Sequence, residues 1–124
     1  MLIVLILMLL CHIIDDFVLQ PVCLSNLKQK SWWEKNAPDD LYKDDYICAL
    51  IIHALSWSIM IMLPVILLTS VEVNVIGILI LINTAIHAYV DDLKANKKSI
   101  SLILDQVYHL LQIVVSYAII NSFC

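Results

Sequence analysis

Arginine is absent from this chain, and glycine occurs once. The seven basic residues are all lysine, at 28, 30, 35, 43, 94, 97 and 98, and eleven acidic residues leave a net charge of −4. No basic stripe is present, which excludes nucleic acid as an expected partner. Cys11, Cys23, Cys48 and Cys124 form no C-x-x-C pair, so a disulfide framework is not indicated. Cys11 and Cys48 lie in apolar segments and read as buried small hydrophobes.

Charge itself is missing from long stretches. Met1–Ile14 carries none, Ile47–Val71 runs 25 residues without it, Val73–Val90 runs 18 and Gln106–Cys124 runs 19, with Ile100–Leu104 continuing past Asp105. A membrane-spanning helix needs about 20 apolar residues. The chain is 62% hydrophobic with a mean hydropathy of +0.93, well above a soluble domain. None of these segments shows the broad polar face of a soluble bundle helix. The first lacks a basic leader region and a small-residue cleavage site, so it reads as a retained helix and not a secretory signal. The expected fold class is therefore all-α: a polytopic membrane protein of one domain, a four-transmembrane-helix bundle with helices at roughly 1–20, 46–69, 73–93 and 100–122.

The connections differ in kind. "TSVEVN" (69–74) is a tight hairpin, "KANKKS" (94–99) is short, and residues 21–45 form the long one. Pro21 stops the first helix. Trp32 and Trp33 suit an interfacial position, so 21–45 reads either as an interfacial segment or as a solvated loop. All seven lysines lie in the two connections that share one side of the bundle. The positive-inside rule puts that side in the cytoplasm, with both termini outside an inner (cytoplasmic) membrane.

Against this apolar background stand four histidines, one per helix. "HIIDDF" (12–17) ends the first helix. His53 lies a few turns into the second, His87 and Asp91 close the third, and Asp105 and His109 open the fourth. At 1.5 Å per residue all lie within roughly 15 Å of the same surface. Residues four apart share a helix face, which aligns His12, Asp16 and Gln20; Asp45, Ala49 and His53, with Ser56 nearby; Asn83, His87 and Asp91; and Asp105, His109, Gln112 and Ser116. Lipid-facing charge costs several kcal/mol, so these faces are expected to turn inward as one polar layer. Asp15, about 100° round from Asp16, is expected among the headgroups, Asp92 and Lys94 at the interface, and Asp39, Asp40, Asp44 and Asp45 in a solvated run. Phe17 is expected to pack in the bundle.

Imidazoles and carboxylates on facing helices are the ligand set of metal sites in bundles. Zn, Mn and Fe all accept such mixed donors, so the expected cofactor is one or two divalent ions held among His12, Asp16, His53, His87, Asp91, Asp105 and His109. A bound metal would activate water and polarise a phosphoryl or acyl group. In that reading Asp16, Asp91 and Asp105 are the catalytic carboxylates, Lys94 neutralises a substrate phosphate, and Gln20 and Gln106 orient ligands or substrate. Four histidines also suit a b-haem bundle, and His/Asp chains line proton or metal-ion transport paths. A purely structural hydrogen-bond network is a further alternative.

"HIIDDFVLQ" (12–20), "IIHALSWS" (51–58), "NTAIHAYVDDLK" (83–94) and "DQVYHLL" (105–111) together resemble the DUF3307 family of small bacterial and phage membrane proteins. The matching positions are His12, Asp16, Phe17, Gln20, His53, His87, Asp91, Lys94, Asp105, Gln106 and His109. The resemblance implies the fold and the motif set more than an activity. A looser similarity to membrane-embedded metal-dependent hydrolases directs the functional expectation to a lipid, or another phosphate- or acyl-bearing substrate, at the inner leaflet. The expected partners are membrane lipids, with a second copy of the chain or a host membrane protein as further candidates. A non-enzymatic role as partner subunit or phage-encoded modulator is the other alternative.

Overall fold

The computed structural model describes residues 1–124 and contains helices joined by turns, with no strand. Helix α1 spans Leu2–Ile13 and runs on through one π-helical turn, Ile14–Leu19. Two short helices follow, α2 (Val22–Leu27) and α3 (Lys30–Asn36), then a 3-10 turn at Asp40–Tyr42. The long helices α4 (Asp45–Leu68), α5 (Val73–Ala95) and α6 (Leu102–Ser122) complete the chain. Four of these elements are long and apolar enough to cross a membrane.

The four form a ring in the order α1, α4, α5, α6, with α6 returning to α1. Their outward faces carry exposed Ile3, Ile6, Leu10, Ile51, Leu81, Leu111 and Val115. Twelve of the 27 buried residues, in contrast, are polar or charged. Apolar side chains outside and polar ones inside is the arrangement that lipid favours, because unpaired charge is costly against hydrocarbon. The two halves of the interior differ. The half near the termini is an apolar plug of Val4, Met8, Ile61, Met62, Val65, Ile76, Ile113 and Ile120. The half near the lysine-bearing connections is the polar layer.

Helix ends follow local chemistry. Pro21, extended and without an N–H, follows the first helix and starts α2. The Ser101 side chain accepts from the Leu104 N–H and caps α6. Beyond α5, the Ser99 N–H reaches back to the Leu93 carbonyl at 2.9 Å, with Lys98 in the left-handed region at φ 51°.

The long connection is largely helical and tied to the bundle. α2 and α3 pack on α4, and Asn96 fastens them to the end of α5. Its Nδ2 donates to the Lys28 carbonyl at 3.1 Å and its Oδ1 accepts from the Lys30 N–H at 2.7 Å. Two smaller expectations are corrected. Phe17 is exposed, pointing out of the bundle from the π turn. Asp45 lies at the first turn of α4 and is exposed, in keeping with a solvated acidic run. Cys48 is exposed on α4, on the outward side of the adjacent buried Ala49 and Leu50.

Candidate metal centre

His12, His53, His87 and His109 are all buried, one from each long helix, and their rings form a single cluster. His87 and His109 stack with ring centroids 4.0 Å apart, His53 lies 5.1 Å from His87, and His12 lies 6.0 Å from His109. Trp57, one turn beyond His53, is fully buried against His87 at 4.3 Å. The stacked pair leaves no gap between His87 and His109 for a haem macrocycle.

The carboxylates converge on the same point. Asp91 Oδ1 lies 3.5 Å from His109 Nε2 and 3.7 Å from His87 Nε2. His53 Nε2 lies 3.4 Å from Asp16 Oδ1 and 3.6 Å from Asp91 Oδ2. All four separations exceed the usual 2.7–3.2 Å of an N–H···O hydrogen bond. They match the edge of a coordination tetrahedron: metal–ligand bonds of about 2.1 Å place the ligand atoms about 3.4 Å apart. Two sets of three, Asp16/His53/His87 and His87/Asp91/His109, bring their donor atoms within 4.8 Å of one another, and His87 belongs to both.

Five buried polar atoms here have no hydrogen-bond partner: His53 Nε2, both nitrogens of His87, His109 Nε2 and Asp105 Oδ1. Orphaned buried groups are rare and costly. The surrounding network shows what one of them holds. Asn83 Nδ2 donates to the Leu79 carbonyl and to Ser116 Oγ, at 2.9 and 2.8 Å. Gln112 Nε2 must then donate to the Asn83 carbonyl and Oδ1, both at 3.1 Å. That turns Gln112 Oε1 toward His109 Nδ1 at 3.4 Å, so Nδ1 carries a proton. The other nitrogen, Nε2, faces two carboxylate oxygens, Asp91 Oδ1 at 3.5 Å and Asp105 Oδ1 at 3.4 Å. Such an arrangement repels itself unless a cation sits between, either a proton or a metal ion. A proton on His109 would still leave His87 and His53 unpartnered. A metal ion would take one lone pair from each of His53, His87 and His109, so the residues fit one, while the second His87 nitrogen and Asp105 Oδ1 keep no partner.

His12 is held differently. Trp57 Nε1 can only donate, and it donates to His12 Nδ1 at 2.9 Å. His12 Nε2 therefore donates to Gln106 Oε1 at 3.1 Å, and Gln106 Nε2 donates to Asp16 Oδ2 at 3.3 Å and Asp105 Oδ2 at 3.1 Å. Both ring nitrogens are engaged, so His12 orients two carboxylates through Gln106 and offers no free lone pair. Gln20 lies past the helix end in extended conformation and lines the clefts beside the layer.

Asp15 is not among the headgroups. It is 3% exposed, accepts from Ser56 Oγ at 3.0 Å and stands 3.9 Å from His53 Nδ1. The π turn is the reason: i→i+5 bonding takes in an extra residue and shifts the side-chain phase, so Asp15 and Asp16 both face inward. Lys28 was not expected in the layer at all. It is buried at the end of α2, its Nζ 2.6 Å from Asp91 Oδ2. Lys94 holds Asp105 Oδ2 at 2.7 Å. Each of these aspartates thus gives one oxygen to a lysine and keeps the other toward the imidazoles. Trp57 had a visible signal, since it lies four residues after His53 on the same face. Lys28 had none.

Residues 4–123 match the family described as "Protein of unknown function (DUF3307)". The chain belongs to the DUF3307 family. No curated protein and no solved structure matches it. Within this DUF3307 chain, the motif elements that carry the family resemblance are the segments that build the layer: 12–20 at the π turn, 51–58 on α4, 83–94 on α5 and 105–111 on α6.

Proposed function

We propose that this protein binds one divalent metal ion in its polar layer and uses it to hydrolyse a phosphate- or acyl-bearing lipid at the membrane surface. The observation that carries the reading is the convergence of unpartnered buried nitrogen and oxygen atoms, above all His109 Nε2 between two carboxylates. Charge supports a single ion. Asp15, Asp16, Asp91 and Asp105 face two ammonium partners, the buried Lys28 and the half-exposed Lys94. With the imidazoles neutral, two negative charges are left over. One divalent cation balances them, and a buried site tolerates little net charge.

His53, His87, His109, Asp16 and Asp91 are the proposed ligands. The ion would supply Lewis acidity and a water of lowered pKa. His12 and Gln106 act as positioning residues for Asp16 and Asp105, and Gln112 for His109. Asp105 keeps Oδ1 free of partners, which suits a proton acceptor for the attacking water. The lysine-bearing end faces the cytoplasm in this reading. The apolar plug weighs against transport, because a polar path through one copy ends where Met8, Ile61 and Ile113 begin.

Metal analysis of the purified protein and of His87→Phe tests the proposal. Phenylalanine keeps an aromatic ring beside Trp57 and His109 and removes both nitrogens. One ion per wild-type chain, lost in the folded variant, is the expected outcome. Wild-type protein without stoichiometric metal sinks the reading. Loaded protein that cleaves no phospho- or acyl-ester lipid sinks its hydrolytic part.

A further inference from the structure

A cleft of about 420 Å³ opens beside the metal centre at the lysine-bearing end of the bundle. Lys28, Lys94 and Lys98 line it with Gln20 and Ser25, and Asp91 forms part of its wall. Asp91 is also a proposed metal ligand, so anything bound in the cleft lies one carboxylate away from the ion. Two of the three ammonium groups are occupied: Lys28 by Asp91 and Lys94 by Asp105. Lys98 has no carboxylate partner. With one divalent ion in the layer the carboxylates, Lys28 and Lys94 are in balance, and Lys98 is the surplus positive charge.

The backbone at Lys98 is a second, independent observation. Its φ of 51° is the only left-handed conformation of a non-glycine residue in the chain. This turn closes the C-terminal end of α5, where glycine or asparagine is the usual occupant because a Cβ is strained there. A lysine kept in a conformation that disfavours it, on the wall of a charged cleft, points to its side chain as the reason.

We infer that this cleft is the anion subsite of the metal centre, binding a phosphate group with Lys98 as its free cation. The inference rests on the metal reading and names the substrate class for it: a phosphate ester, either a lipid headgroup or a small soluble phosphate. It also assigns the role expected of Lys94 to Lys98, since Lys94 is already held by Asp105.

The test uses full-length protein in detergent, loaded with Mn²⁺, and follows ³¹P relaxation of inorganic phosphate and, separately, of dihexanoylphosphatidylglycerol. A phosphorus nucleus in the cleft is close enough to Mn²⁺ to relax rapidly. Lys98→Gly suits the left-handed backbone, so it should fold, with an unchanged or raised Tm and full metal content. Its phosphate affinity should fall about tenfold or more, the usual loss for a charge-assisted contact, while Lys98→Arg retains binding. Relaxation of the lipid alone assigns the headgroup, and of inorganic phosphate alone a soluble ligand; either supports the subsite. Metal-loaded wild type that relaxes neither, or Lys98→Gly that binds as tightly as wild type, overturns it and leaves the metal centre standing. Wild type that takes up no Mn²⁺ overturns the metal reading and the subsite together.

Discussion

Replacing Lys28 with methionine should tighten metal binding, although it removes a buried residue of the site. Its ammonium lies 2.6 Å from Asp91 Oδ2, while the other oxygen of Asp91 faces the imidazoles. An ion on that second oxygen would lie roughly 5 Å from Nζ. At an effective dielectric of about 20, a divalent and a monovalent cation at that distance repel by about 6 kcal/mol. If side-chain relaxation removes three quarters of this, about 1.5 kcal/mol is left, a tenfold gain in affinity. The apo protein should suffer instead. Asp91 loses its pair while buried, a change that costs about 3–5 kcal/mol. Both effects appear in one assay: thermal unfolding in detergent with and without saturating Mn²⁺ or Zn²⁺. The apo Tm of Lys28→Met should drop, and the metal-induced rise should exceed that of wild type, because ligand stabilisation grows with affinity. A folded Lys28→Met protein that binds metal more weakly would refute the charge balance, and with it the single-ion stoichiometry.

The other predictions address the residues that orient the layer. Gln112→Leu removes the acceptor that sets the His109 tautomer and should weaken metal binding about 10–100-fold, measured by competition with a chelating dye; Gln112→Glu, which keeps an acceptor, should lose less. Trp57→Phe keeps the aromatic packing but leaves His12 Nδ1 without its donor, at a cost of about 1–3 kcal/mol; the ¹⁵N shifts of His12 should move while metal stoichiometry does not. Acidification should release the ion, since protons compete for the same imidazole and carboxylate lone pairs; metal content that is flat down to the carboxylate range would argue against these ligands. Gly77 lies in the second turn of α5 with nothing within 4 Å of an added Cβ, so Gly77→Ala should raise stability by about 0.5–1 kcal/mol and leave the oligomeric state unchanged.

The four spanning helices were legible because uncharged length and lipid thickness are matched one-dimensional quantities. The layer was legible because i, i+4 spacing gives one face, and because helix direction reverses at each connection, so depth follows from counting. His53, His87, Asp91, Asp105 and His109 meet for those reasons alone. Counting assumes a uniform helix, and it failed where the helix is not uniform. The π turn at Ile14–Leu19 brought Asp15 inside and turned Phe17 out, and no propensity in "IDDFVL" announces it.

What the sequence determined by itself is the class of molecule: apolar helices with one inward level of imidazole and carboxylate, near the lysine-bearing end. Only the tertiary structure decided which of those groups hold which. The fold-back of α2 carries Lys28 to Asp91 across 63 residues of chain. The Trp57–His12–Gln106 and Asn83–Gln112–His109 chains then choose the tautomers. These are contacts between helices, set by where side chains from different elements come within about 3 Å, and spacing along one helix does not encode them.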